Sequence, residues 1–154
     1  MRYRRPLKLK VLNLEGCEGV TDLSPLKHCL NLEELNVSYC SGLTDDSFKI
    51  FSAEDPVSPL PFLKLRILDL QCCNRLTDNV FEHLSKNNHL VYRLEELNVR
   101  RLARGLVSSP IARNNIYQLK GLRRLIGFFG GRESESDRSD LLDHLKNLEV
   151  LRER

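Results

Sequence analysis

LRILDLQCCNRLTD occupies Leu65 to Asp78, with Leu65, Leu68 and Leu70 apolar, Cys73 three residues on, and Leu76-Thr77-Asp78 beyond it. The same pattern stands earlier in the chain as LKVLNLEGCEGVTD, from Leu9 to Asp22. It recurs as LEELNVSYCSGLTD, from Leu32 to Asp45. Three aligned copies are an internal repeat, and the fold has to be read from it.

In L-x-x-L-x-L the last two apolar residues alternate, as in a short strand with one buried face. The chain must then turn. Thr-Asp offers side-chain oxygens to the free N–H groups of a helix start, and Asp suits the positive end of the helix dipole. Each unit therefore reads as strand, turn and helical return. One such unit cannot bury its own apolar edge, whereas stacked units share a core.

These residues resemble the leucine-rich-repeat family. The cysteine after the strand and the Leu-Thr-Asp that follows are similar to its cysteine-containing subfamily, found in F-box/leucine-rich-repeat proteins. Cys29 falls where that subfamily often has a second cysteine. The match covers residues 9–54 and 65–89, and no F-box is visible. The resemblance implies an α/β leucine-rich-repeat solenoid, curved, with parallel strands on a concave face and helical or irregular returns on a convex one. Residues 1–154 then form a single domain of about five repeats.

Within that frame the first return is held to a turn or short helix by Pro25. The second carries Phe48 and Phe51 at helical spacing. Residues 55–64 are a Pro-rich insertion, with Pro56, Pro59 and Pro61 excluding helix. A helix is expected near Asp78–Lys86, carrying Val80, Phe81 and Leu84. Asn87 replaces the second cysteine. The fourth strand holds Leu94, Leu97 and Val99. Ser109 reads as an N-cap, with Pro110 opening a helix through Lys120. The fifth strand, Leu122 to Gly127, is degenerate. Residues 131–140 are an acidic, Ser-rich loop. Ser139 is placed to cap a helix with Leu141, Leu142 and Leu145, and Leu148 and Leu151 begin a sixth unit. A basic N-terminus and this aborted unit leave both ends without a polar cap, so self-association through uncapped repeat ends is expected. Tyr3 and Leu7 are the residues placed to cover the first edge.

The net charge is +3 over 154 residues, but from Leu97 to Arg132 eight Lys or Arg occur and no acid. Five cysteines, without CxxC pairs, read as reduced thiols of a cytoplasmic or nuclear protein. Cys17, Cys40 and Cys73 hold equivalent positions and are expected to be buried in a turn column. No segment reads as a signal peptide or a membrane span. The four histidines lack metal or triad spacing, adjacent carboxylates point to opposite sides of a strand, and Gly127–Gly131 is no phosphate loop. No enzyme activity, cofactor or metal is expected.

The outward strand residues carry the functional expectation. The resemblance places them on the concave face, in columns such as Asn13, Asn36, Asp69, Asn98 and Ile126. The next columns read Glu15, Ser38, Gln71, Arg100, Phe128 and Gly16, Tyr39, Cys72, Arg101, Phe129. The predicted partner-binding set is Tyr39, Asp69, Gln71, Asn98, Arg100, Arg101, Arg124, Phe128 and Phe129, since Arg and aromatic residues are frequent anchors. The expected partner is another protein with an acidic patch. The resemblance suggests substrate recognition in a ubiquitin-ligase or cell-cycle regulatory setting. The alternative is nucleic acid or another polyanion on the basic 100–132 segment.

Overall fold

A computed structural model describes residues 8–52, 62–102, 109–127 and 135–152. Six short strands form one sheet: β1 (Val11–Asn13), β2 (Glu34–Asn36), β3 (Ile67–Asp69), β4 (Glu96–Asn98), β5 (Arg124–Ile126) and β6 (Val150–Arg152). Their order in the sheet is their order in the chain, and every pair is parallel. The register puts Leu12, Leu35, Leu68, Leu97, Leu125 and Leu151 opposite one another. A period-2 side chain fixes this register, because a slip of one residue would turn the leucine column to solvent. The degenerate fifth strand keeps it too, with Arg124 opposite Glu96 and Ile126 opposite Asn98.

The strands do not build the expected leucine-rich-repeat solenoid. The architecture is an α/β fold with one open, all-parallel sheet, and a regular solenoid is not shown. The physical reason lies in the returns. After β1 comes a short 3-10 helix, Ser24–His28, and after β2 a longer one, Asp45–Ser52. Two α-helices follow β3, α1 (Asn79–Ser85) and α2 (Asn88–Arg93). One follows β4, α3 (Pro110–Ile116), and one follows β5, α4 (Glu135–His144). Only the strand and its turn repeat. A solenoid takes its curvature from a constant step per unit, and these returns have no constant length or kind. The outward strand residues accordingly lie on the open face of a sheet, not in a demonstrated concavity.

The other face is the core. Leu35, Val37, Leu68, Leu70, Leu97 and Val99 are buried, with Leu32, Leu65, Leu94 and Leu122 beneath them. Each such side chain contributes about 1.5–3 kcal/mol on leaving water. Leu12 and Leu14, expected in the same buried line, are only half-buried, because among the described residues β1 is an edge strand with a neighbour on one side. Phe48, Phe51 and Phe62 close the core on the return side, their successive ring centroids 5.3 and 4.1 Å apart.

Three further expectations change. The Thr-Asp cap is found in part: Asp22 Oδ1 accepts from the Ser24 N–H at 2.8 Å and Thr77 Oγ1 from the Asn79 N–H at 3.4 Å, whereas Asp78 makes no side-chain cap bond to α1. Asp45 instead reaches the next unit, accepting from the Thr77 N–H at 2.8 Å and its hydroxyl at 2.5 Å. The acidic run read as loop is helical from Glu135, and α4 begins ahead of Ser139. α3 ends at Ile116, four residues short of Lys120, though Ser109 does cap it by accepting from the Ile111 N–H. Pro56, Pro59 and Pro61 of the insertion, and Tyr3 and Leu7, lie outside the described residues. Among those described, no helix is long and apolar enough to cross a membrane.

Candidate functional site

At the end of each strand the chain must leave the ladder without stranding its N–H groups. The central column does this work. Asn13, Asn36, Asp69 and Asn98 each accept, through Oδ1, from the backbone N–H two residues on, at 2.9 to 3.1 Å. A short side chain with an acceptor oxygen closes such a turn, which is why Asn and Asp recur there. The column is thus a structural device first.

The turn it closes has a second requirement. The residue three beyond each of these is left-handed: Gly16 (φ 73°), Tyr39 (59°), Cys72 (58°) and Arg101 (55°). Glycine adopts this region freely, whereas other residues are strained there. Only the first unit uses glycine. The following three present a phenol, a thiol and a guanidinium at equivalent strand exits. The ladder continues through them, with the Tyr39 N–H donating to Gln71 O at 2.8 Å and the Cys72 N–H to Arg100 O at 3.0 Å.

Side chains join these exits laterally. Gln71 Nε2 donates to the Tyr39 phenol oxygen at 2.7 Å. Asn98 Nδ2 donates to Asp69 Oδ2 at 2.9 Å and to Gln71 Oε1 at 3.3 Å. Tyr39, Asp69, Gln71 and Asn98 are therefore one hydrogen-bonded strip across three strands. Tyr39 is 43 % exposed and Asn98 only 8 %. Arg100 and Arg101 continue the strip, the first half-buried and the second exposed. Arg124 does not join as a free cation. Its Nη1 meets Glu96 Oε2 at 2.6 Å. Phe128 and Phe129 lie outside the described residues. An open depression of about 700 Å³ lies at the other end, over Asn13, Glu15, Gly16 and Tyr39.

The described part of the basic segment is dispersed by the fold. Arg113 lies on α3, Arg123 reaches Glu149 at 3.6 Å, and Lys120 Nζ donates to His144 O at 3.4 Å. Acid-free sequence becomes acid-neighboured structure, because parallel strands bring Glu95, Glu96 and Glu149 alongside.

The repeat cysteines divide. Cys40 and Cys73 are buried, and their thiols donate to Leu14 O and Val37 O, each at 3.1 Å and one strand back. Burial pushes the Cys73 thiol up to about 12, from an ordinary 9.0. It raises Cys40 as well. Cys17, expected to match them, is exposed. Among the described residues its strand is the edge strand, and no earlier strand supplies the carbonyl. Cys72 is half-exposed among the strand exits.

The sequence reading also missed two polar ties on the return side. Asn87 caps α2, its oxygen accepting from the His89 and Leu90 N–H groups while Nδ2 donates to Phe51 O at 2.9 Å. Ser52 Oγ lies 3.0 Å from His83 Nδ1. Ser52 Oγ also lies within donating distance of Lys49 O, at 3.1 Å. Among the described residues no group of three or more His, Cys, Asp or Glu is placed to hold a metal ion. No family model matches the chain, and no curated protein matches it significantly.

Proposed function

We propose that the chain is a protein–protein interaction module that binds through the open face of its sheet, at the strand exits from Tyr39 to Arg101. The supporting observation is the hydrogen-bonded strip Tyr39–Gln71–Asn98–Asp69 with Arg100 and Arg101 at its end. It holds polar and aromatic groups in fixed positions, so little side-chain freedom is lost on binding. Three non-glycine residues kept left-handed at these exits fit a surface retained for contact, since strain of this kind collects at functional positions.

The resemblance of the repeats to the cysteine-containing leucine-rich-repeat family suggests the setting: recognition of a substrate protein in ubiquitin-ligase or cell-cycle control, in the cytoplasm or nucleus. On this reading the chain is not an enzyme. Polyanion binding through the 100–132 segment is the second reading, and the pairing of Arg124 with Glu96 counts against it.

Position-specific photocrosslinking in lysate tests the proposal. A benzophenone side chain at Tyr39 should capture a discrete protein, and one at Tyr92, fully outward on α2, should not. Capture at Tyr92 alone would place the interface on the returns and end this reading.

A further inference from the structure

We infer that the strand exits after β2, β3 and β4 recognise carboxylate side chains on an acidic segment of the partner protein, with Arg100 as the anchor. The inference rests on the protein-binding reading above and names the chemistry that this face would read.

The balance of donors and acceptors carries it. Asp69 Oδ1 is occupied by the Gln71 N–H, and Oδ2 by Asn98 Nδ2. Gln71 Oε1 faces Asn98 Nδ2, and Asn98 Oδ1 takes the Arg100 N–H. Each of these acceptor atoms is thus already engaged within the strip. The donors are not. The Tyr39 oxygen accepts from Gln71, which leaves its own proton for an outside acceptor. Arg100 Nε is shielded from water and meets no hydrogen-bond partner among the described residues, though the side chain as a whole is partly exposed. Arg101 is exposed beside it. A carboxylate from outside meets the exposed part of the Arg100 side chain and the exposed Arg101 beside it, and charge-assisted bonds of this kind are the strong ones, while the shielded Nε–H reports on the guanidinium it belongs to.

The site is also rigidly built. Gly127 packs so closely on Arg100 that a Cβ there would lie 2.4 Å from the Arg100 Cα. Neighbouring strands stand about 4.8 Å apart, so Tyr39 and Arg101 are separated by roughly 10 Å, which a few extended residues span.

A protein carboxylate is favoured over a phosphate backbone by the rest of the face. Glu34 and Glu96 stand in one column of it, and Glu96 already holds Arg124. A continuous polyanion crossing three strands would run over both acids. A peptide can place single carboxylates at the donors and neutral residues elsewhere.

The test is an NMR titration that follows the Arg100 Nε–H signal and the backbone amides. The probes are a short peptide with three central glutamates, its glutamine counterpart, and short oligothymidine. The glutamate peptide should move the Arg100 signal saturably, at least about tenfold more tightly than the glutamine peptide. Arg100→Gln should abolish the difference, and Arg100→Lys should keep only part of it. Equal binding of the two peptides, tighter binding of oligothymidine, or no shift anywhere on the face overturns the inference. If amides at Ser38–Tyr39 and Gln71–Cys72 respond while Arg100 Nε–H stays still, the carboxylate anchor is wrong and the interaction face survives.

Discussion

Cys73 Sγ donates to the carbonyl of Val37, one strand earlier, at 3.1 Å. Cys40 repeats the bond to Leu14. A thiol is small enough to bury at the turn, and it gives a second donor to a carbonyl that already accepts a backbone N–H, Val37 O from Cys40 and Leu14 O from Cys17. The bond runs backward along the sheet, so it exists only where a preceding strand exists. That asymmetry separates residues that look identical in sequence.

Native-state alkylation should therefore split the cysteines. Cys17 and Cys72 should react quickly near pH 8, and Cys29, Cys40 and Cys73 at least about tenfold more slowly, because burial holds the buried thiols protonated. Mass spectrometry of peptides after timed labelling reads this directly. Cys17 reacting as slowly as Cys73 would contradict the edge assignment of β1.

Truncation of the leucine column should cost unequal amounts. Leu68→Ala, at the fully buried centre, should lose about 2–5 kcal/mol of stability. Leu12→Ala, half-buried on the edge strand, should lose clearly less. Denaturant unfolding of the two variants gives the comparison.

Glycine positions make a sharper contrast. Gly127→Ala must place a Cβ against the Arg100 backbone at a residue with φ 73°, whereas Gly19→Ala meets nothing within 4 Å. The first should destabilise by more than about 1 kcal/mol, and the second should be near neutral. In the opposite sense, Cys72→Gly should relieve left-handed strain and stabilise by up to about 1 kcal/mol. Thermal unfolding of the three variants checks the signs.

Burial lowers the pKa of His83 below its ordinary 6.5. A base depressed by folding contributes stability that is complete above its unfolded value and is lost as pH falls toward the folded one. Stability should therefore decline from about pH 6.5 downward, before the carboxylates protonate near pH 4. His83→Gln, which keeps a side chain able to meet Ser52, should flatten this part of the profile. An unchanged slope would mean that His83 is not the group responsible.

The strands and their register were legible because a period-2 pattern repeated at fixed spacing leaves one way to align Leu12, Leu35, Leu68 and Leu97. The tight turn and its Asn/Asp column were legible for the same reason. The returns were legible in part: the short helix at Pro25, the helical spacing of Phe48 and Phe51, the helix near Asp78–Lys86 and the Ser109 cap are all found, whereas α2 was not foreseen, since it depends on tertiary ties such as Asn87 to Phe51. Cys17 was misjudged because its exposure is set by which strands lie beside β1, and among the described residues only β2 does, which local sequence does not encode. At the candidate site the residue types were legible, but their connections were not. Gln71 and Asn98 turn out to organise Tyr39 and Asp69, and Glu96 removes Arg124 from the free cations. Adjacent positive charges in sequence say nothing about acids delivered by the next strand.

The central claim is that the strand exits of the open face bind a protein. Its most direct measurement is the affinity of the protein captured at Tyr39 for three forms of the chain: wild type, Arg101→Glu and Glu18→Lys. Both positions are exposed, and both substitutions reverse a charge. Arg101→Glu should weaken binding at least tenfold, about 1.4 kcal/mol, and Glu18→Lys, on the turn after β1, should leave it unchanged. Equal effects from the two substitutions, or none from either, would contradict the account.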